Sequence, residues 1–122
     1  KVFFSLLEAS TKVDSGVVYY KKEKIVPNHF LFDEIKKMQL EENLKLIIKF
    51  IRFYKKKNKK PKGKIQIGKS TFYKKRNLHD SEIKIKKSIL AQFNLLRIVD
   101  NKSYPAFFRA YGKKYFLRIS KS

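Results

Sequence analysis

The sequence predicts an α/β chain in which short apolar strands accompany a long amphipathic helix, with a smaller α+β part following. Three observations predict it. Val2 to Leu7 is a brief, aromatic-rich apolar run; Leu44, Ile47, Ile48 and Ile51 recur at helical spacing; and two aromatic runs flank Gly112-Lys113. Of the 122 residues, 43% are hydrophobic, enough for one modest core.

The elements follow in order. Val2-Phe3-Phe4-Ser5-Leu6-Leu7 reads as a buried strand. A polar loop from Glu8 closes on Asp14-Ser15-Gly16, where Asp can bond nearby amides and Gly permits a positive φ. Val17 to about Val26 reads as a second strand, ended by Pro27-Asn28. From about His29 to Lys56 the pattern is helical, and Leu44, Ile47, Ile48 and Ile51 form a stripe, extended by Leu40 and Leu31, that is expected to be buried on a sheet. Glu34, Glu41 and Glu42 sit early and Lys55 to Lys57 late, which suits the helix dipole. Lys55 to Lys69 reads as a basic surface linker and Ser88 to Val99 as a second amphipathic helix. Ala106 to Tyr111 and Lys114 to Ile119 read as a hairpin turning at Gly112-Lys113. The chain opens at Lys1 inside a strand-like run, so the reading expects a fragment of a longer protein.

Charge is the dominant compositional feature. The net charge is +21, carried by 26 Lys and 5 Arg against 10 Asp and Glu. Such a field attracts nucleic acid, anionic lipid or phosphorylated ligands. Readers of phosphate and bases lean on the bidentate Arg fork, however, and this chain leans on Lys. Compositional drift and a selected polyanion-binding surface therefore both stand as readings of the charge. The absence of Cys excludes disulfides, thiolate metal sites and a thiol nucleophile. Two histidines, His29 and His79, lie far apart in sequence, and no metal-ligand spacing occurs. No apolar run is long enough for a membrane span and no signal-peptide pattern is seen, so a cytoplasmic location without membrane contact is the default expectation.

Two stretches carry a resemblance. The first is Glu8-Ala9-Ser10-Thr11-Lys12-Val13-Asp14-Ser15-Gly16 with the strand after it. The second runs from Thr71-Phe72-Tyr73-Lys74-Lys75-Arg76 through Asp80-Ser81-Glu82 and Asn94-Leu95-Leu96-Arg97 to Asp100-Asn101-Lys102-Ser103-Tyr104-Pro105-Ala106-Phe107. In this order they resemble the formyltransferases that use 10-formyltetrahydrofolate, a family that includes methionyl-tRNA formyltransferases and sugar N-formyltransferases. The resemblance implies that residues 1–57 are the C-terminal end of a Rossmann-like catalytic domain, its last strands and a long helix. Residues 58–122 are then a linker and a small α+β C-terminal subdomain.

That family works with an Asn, His and Asp triad, and the resemblance assigns the Asp to Asp14. The Asn-x-His motif would lie upstream of Lys1, so the chain alone is expected to be inactive. A carboxylate in that place orients a histidine and relays the proton an attacking amine must lose. The bland alternative is that Asp14 only shapes a turn. Tyr73 and Arg76 are candidate substrate contacts, by stacking and phosphate pairing, against the alternative of a solvated strand edge. Asn94 and Arg97, spaced i, i+3, either reach back to substrate or tie their helix to the preceding sheet. No residue is assigned to cofactor or metal. The resemblance implies 10-formyltetrahydrofolate as formyl donor and a primary amine as acceptor. A nucleotide-linked amino sugar is favoured because the chain ends soon after the hairpin; tRNA is the alternative, and a homodimer is compatible with either. The competing class is a non-enzymatic polyanion binder, with 18 aromatics and 31 cations for RNA contacts.

Overall fold

The computed structural model describes residues 1–11, 16–66 and 73–122. Strand β1 (Val2–Leu7) pairs antiparallel with β2 (Val18–Lys24), with an irregularity in register between Leu6 and Leu7. Helix α1 (Phe32–Lys57) follows, with Asp33 and Glu34 in its first turn and Lys55 to Lys57 in its last. Then come short 3₁₀ turns at Leu78–Ser81 and Leu90–Gln92, the single-turn helix α2 (Phe93–Leu96), and the hairpin β3 (Ala106–Ala110) and β4 (Lys113–Leu117). The architecture is mixed α and β, with two two-stranded sheets among the described residues.

The chain divides into two compact units, Lys1–Pro27 with Lys36–Phe72, and Asn28–Ile35 with Tyr73–Ser122. In the first, α1 meets β2 through side chains: Phe50 packs on Tyr19 at 5.1 Å between ring centroids, and the Lys49 ammonium sits 4.5 Å from the Tyr20 ring. Glu42 is only 2% exposed. Its Oε2 lies 2.6 Å from Lys22 Nζ and its Oε1 2.8 Å from Lys45 Nζ, with Lys24 at 3.6 Å. A carboxylate stripped of water is tolerable only with such compensation. In the second unit, Ile83, Leu96, Val99 and Ala106 form the buried cluster, flanked by Leu95, Phe108 and Ile119.

The aliphatic stripe of α1 does not have the burial expected of it. Leu46 is buried, with Glu42, on the face toward β2, whereas Leu40, Leu44, Ile47, Ile48 and Ile51 are 41–61% exposed. At 100° per residue these five point away from Glu42, Leu46 and Phe50. The helix thus carries apolar residues on two opposite sides, and the sequence pattern marks the stronger stripe without saying which side its own sheet covers. Ile48→Asp, which a buried stripe would make severe, is therefore expected to cost less than about 1 kcal/mol in this chain by urea denaturation, since exposed sites tolerate charge.

Two further expectations shift. The helix expected over Ser88 to Val99 is reduced to α2 and its preceding 3₁₀ turn. The Gln92 side chain explains why: its amide donates to the carbonyls of Lys84 (3.0 Å), Lys87 (3.1 Å) and Ser88 (3.4 Å), and its oxygen accepts from Lys84 N–H (2.7 Å). These bonds hold the incoming chain in a loop where a longer helix would need its backbone. The hairpin turns one residue earlier than its glycine suggested. Ala110 pairs with Lys113, so the loop is Tyr111-Gly112, with φ of +50° and +70°. Two positive φ values in a two-residue loop are the type I′ geometry that fits strand twist.

Candidate active site

The loop between β1 and β2 is the candidate site. Asp14, the catalytic expectation, lies outside the described residues; what the structure describes is the root of its loop. Glu8 N–H donates to the Val17 carbonyl at 2.8 Å and so closes that root. A Cβ on Gly16 would fall 1.8 Å from the Glu8 carbonyl oxygen. Gly16 is thus required by close backbone approach; among the described glycines, positive φ belongs to Gly112. No residue with a side chain fits where the two strands meet.

A polar cluster sits beside this root. Tyr19 O–H donates to Glu8 Oε2 at 2.8 Å, and the Lys60 ammonium donates to Oε1. Lys60 first, then Tyr19, hold the Glu8 carboxyl below its ordinary range. Burial, followed by the bond to Glu8, pushes the Tyr19 phenol up, and Glu8 raises the Lys60 ammonium. Each group is thereby fixed in its neutral-pH state, and an ionised carboxylate with both oxygens engaged is a poor proton acceptor. The cluster anchors the loop and leaves proton transfer to other groups. Sequence reasoning missed it because Lys60 stands 52 residues from Glu8. The pairing of Val18 with Lys64, at 2.8 and 2.9 Å, lays that segment alongside β2.

The remaining candidates belong to the second unit. Tyr73 is 91% exposed. Arg76 is turned to the protein: Nη2 donates to Ser81 Oγ at 3.2 Å and Nη1 to the Ile98 carbonyl at 3.4 Å, while its Nε is buried without a partner among the described residues. The fully buried Ser81 donates in turn to the Tyr104 carbonyl at 3.4 Å. The resemblance-bearing segments around Arg76, Ser81 and Tyr104 are therefore tied together. Asn94 is exposed on α2, whereas Arg97 is 6% exposed and donates from Nη1 to the Asn28 carbonyl at 2.7 Å. The pair shares a helical spacing but not an environment. Asn77-Leu78-His79 has the letters of an Asn-x-His motif, yet its Asn77 Oδ1 accepts from His79 N–H at 2.9 Å and Asp80 accepts from Asn77 N–H at 2.8 Å. That is a capping box, and it occupies the side chain such a motif would need. Among the described residues no cluster of His, Asp and Glu is arranged to hold a metal, and no helix is long and apolar enough to cross a membrane.

No family model matches the sequence, and no curated protein matches it. Among solved structures, the chain is similar to a methionyl-tRNA formyltransferase from Clostridium thermocellum, with a TM-score of 0.63 and 15% identity over 98% of this chain and 50% of that one. The likeness shows a formyltransferase-like fold. The chain spans half the length of the structure it matches.

Proposed function

We propose that this chain is the C-terminal half of a formyltransferase that moves a formyl group from 10-formyltetrahydrofolate to a primary amine. The formyltransferase-like fold over nearly the whole chain is the observation that carries the reading. The exposed stripe on α1 supports it, since a helix with two apolar faces belongs between two layers. In this reading Asp14 supplies the carboxylate that orients a histidine of the other half and relays the amine's proton. Tyr73, Arg76, Asn94 and Arg97 stand as substrate-binding proposals, Tyr73 and Asn94 with exposed side chains, Arg76 and Arg97 through the segments they brace.

The donor supplies the formyl carbon. The groove beside β2 and the one beside the start of α1 are open and rich in lysine or charged pairs, a poor match to a flat, neutral pterin ring, so no residue of theirs is assigned to holding it. Of acceptors, a nucleotide-linked amino sugar and methionyl-tRNA both stand, and the solved neighbour, a methionyl-tRNA formyltransferase, supports the second. Formyl transfer by the complete enzyme to each acceptor separates the two.

In that enzyme Asp14→Asn is expected to retain the fold and lower kcat by about 10²–10⁴. Near-normal turnover would remove Asp14 from the mechanism. A native protein in the source no larger than this chain, with no Asn-x-His half, would sink the reading as a whole.

A further inference from the structure

We infer that the loop at residues 84–90 of the second unit docks on a membrane surface that carries anionic phospholipid. Three aliphatic side chains stand in water there: Ile85 is 60% exposed, Ile89 71% and Leu90 85%. The exposure is built into the loop. Ile83, two residues before Ile85, is buried in the core cluster of its unit. The chain then turns, with Lys87 N–H donating to the Lys84 carbonyl at 3.0 Å, which leaves Ile85 and Lys86 at the corner. The buried Gln92 amide holds the carbonyls on both sides of that corner, those of Lys84, Lys87 and Ser88. Ser88 Oγ in turn accepts from Ala91 N–H at 3.2 Å and fixes the start of the next turn. Ile85 follows the first of the held carbonyls, and Ile89 and Leu90 follow the last. All three therefore emerge from one loop wrapped around a single side chain, which keeps them from folding onto the core.

The charges of the same loop say what covers it. Lys84, Lys86 and Lys87 are exposed and form no ion pair among the described residues. No Asp or Glu stands between Ile83 and Val99. Single exposed aliphatics are ordinary, but a fixed loop that joins three of them to three uncompensated ammoniums has both halves of an interfacial contact. The aliphatic tips enter the acyl boundary, while the ammoniums rise on flexible stems to the headgroup phosphates. Nucleic acid fits less well, because the loop has no aromatic ring on which a base could stack. A protein partner also fits less well, since protein interfaces deplete Lys and favour the aromatic and Arg anchors that the loop lacks. The expectation of no membrane contact drawn from the sequence rests on spanning length, which a surface loop does not need. The inference rests on this loop alone and not on formyl transfer.

The test is co-sedimentation of the 122-residue chain with vesicles of phosphatidylcholine and phosphatidylserine at physiological ionic strength, where long-range attraction to the net charge is screened. Ile89→Ser/Leu90→Ser leaves the charge unchanged and is expected to weaken binding roughly tenfold or more, as two large aliphatic side chains leave the interface. Ile85→Ser, on the other side of the corner, is expected to weaken it roughly threefold or more. Ile25→Ser/Ile65→Ser, a matching change at comparably exposed residues of the first unit, is expected to weaken it less than about twofold. All of these residues are exposed, so the fold is expected to stand in each variant. Equal losses in the two paired variants, or no binding to the mixed vesicles, would overturn the loop as the contact. A single-stranded RNA that loses affinity for Ile89→Ser/Leu90→Ser as steeply as the vesicles do would overturn the lipid assignment.

Discussion

Truncating Phe107 to alanine is expected to destabilise the chain by about 3–5 kcal/mol, the range for removing a large aromatic from a packed core. Phe107 is 2% exposed and sits in β3, between the β4 pairing on one side and Ile83 on the other, whose N–H donates to its carbonyl at 2.7 Å. Its ring approaches Phe116 at 6.5 Å between centroids, and the Lys114 ammonium covers it at 3.9 Å. Alanine would leave a void beside backbone that cannot collapse, because the strand bonds on both sides fix it. Urea denaturation measures the loss; a change under about 1 kcal/mol would mean that the hairpin is not the core of its unit.

Acid is expected to weaken the first unit through Glu42. Lys22 first, then Lys45, with Lys24 adding to them, hold its carboxyl down to about 2, against an ordinary value of 4.5. The unfolded chain takes up this proton near 4.5, while the folded chain resists until about 2. The stabilisation is therefore fully present above pH 4.5 and disappears as pH falls through about 2. Glu42→Gln should lower the melting temperature at neutral pH and flatten its dependence on pH across that window. Its residual slope reports Glu8, Glu34 and Asp100, which are also held below their ordinary values. A variant with the parent's pH profile would show that the lysines do not act through Glu42.

Elements whose signal is local were legible in the sequence. The long helix was expected over residues 29–56 and is found at Phe32–Lys57, because its periodicity and end charges lie within a few turns of one another. The hairpin was legible for the same reason, and its turn moved by one residue because Tyr111 adopts a positive φ that only Gly112 advertises. What depends on distant partners was not legible. Hydrophobic periodicity gave α1 a stripe but not its orientation, which is fixed by Glu42 meeting Lys22 and Lys24 of β2. Gln92 looks like one more polar residue of a helix until its bonds to Lys84, Lys87 and Ser88 are drawn. At the candidate site, Asp14 was named from resemblance, while the Glu8, Tyr19 and Lys60 anchor beneath its loop required folding to appear. Gly16 was rightly noticed, but for a conformational reason where the cause is contact.

The outward stripe of α1 also bears on how the chain behaves in a tube. Five aliphatic residues facing water make the kind of surface that drives association, and the +21 charge on every copy opposes it. Colloidal stability then rests on electrostatic repulsion, which dilute buffer preserves and concentrated salt removes. Salting-out, concentrated stocks and refolding at high ionic strength are the conditions in which copies of this chain will find one another.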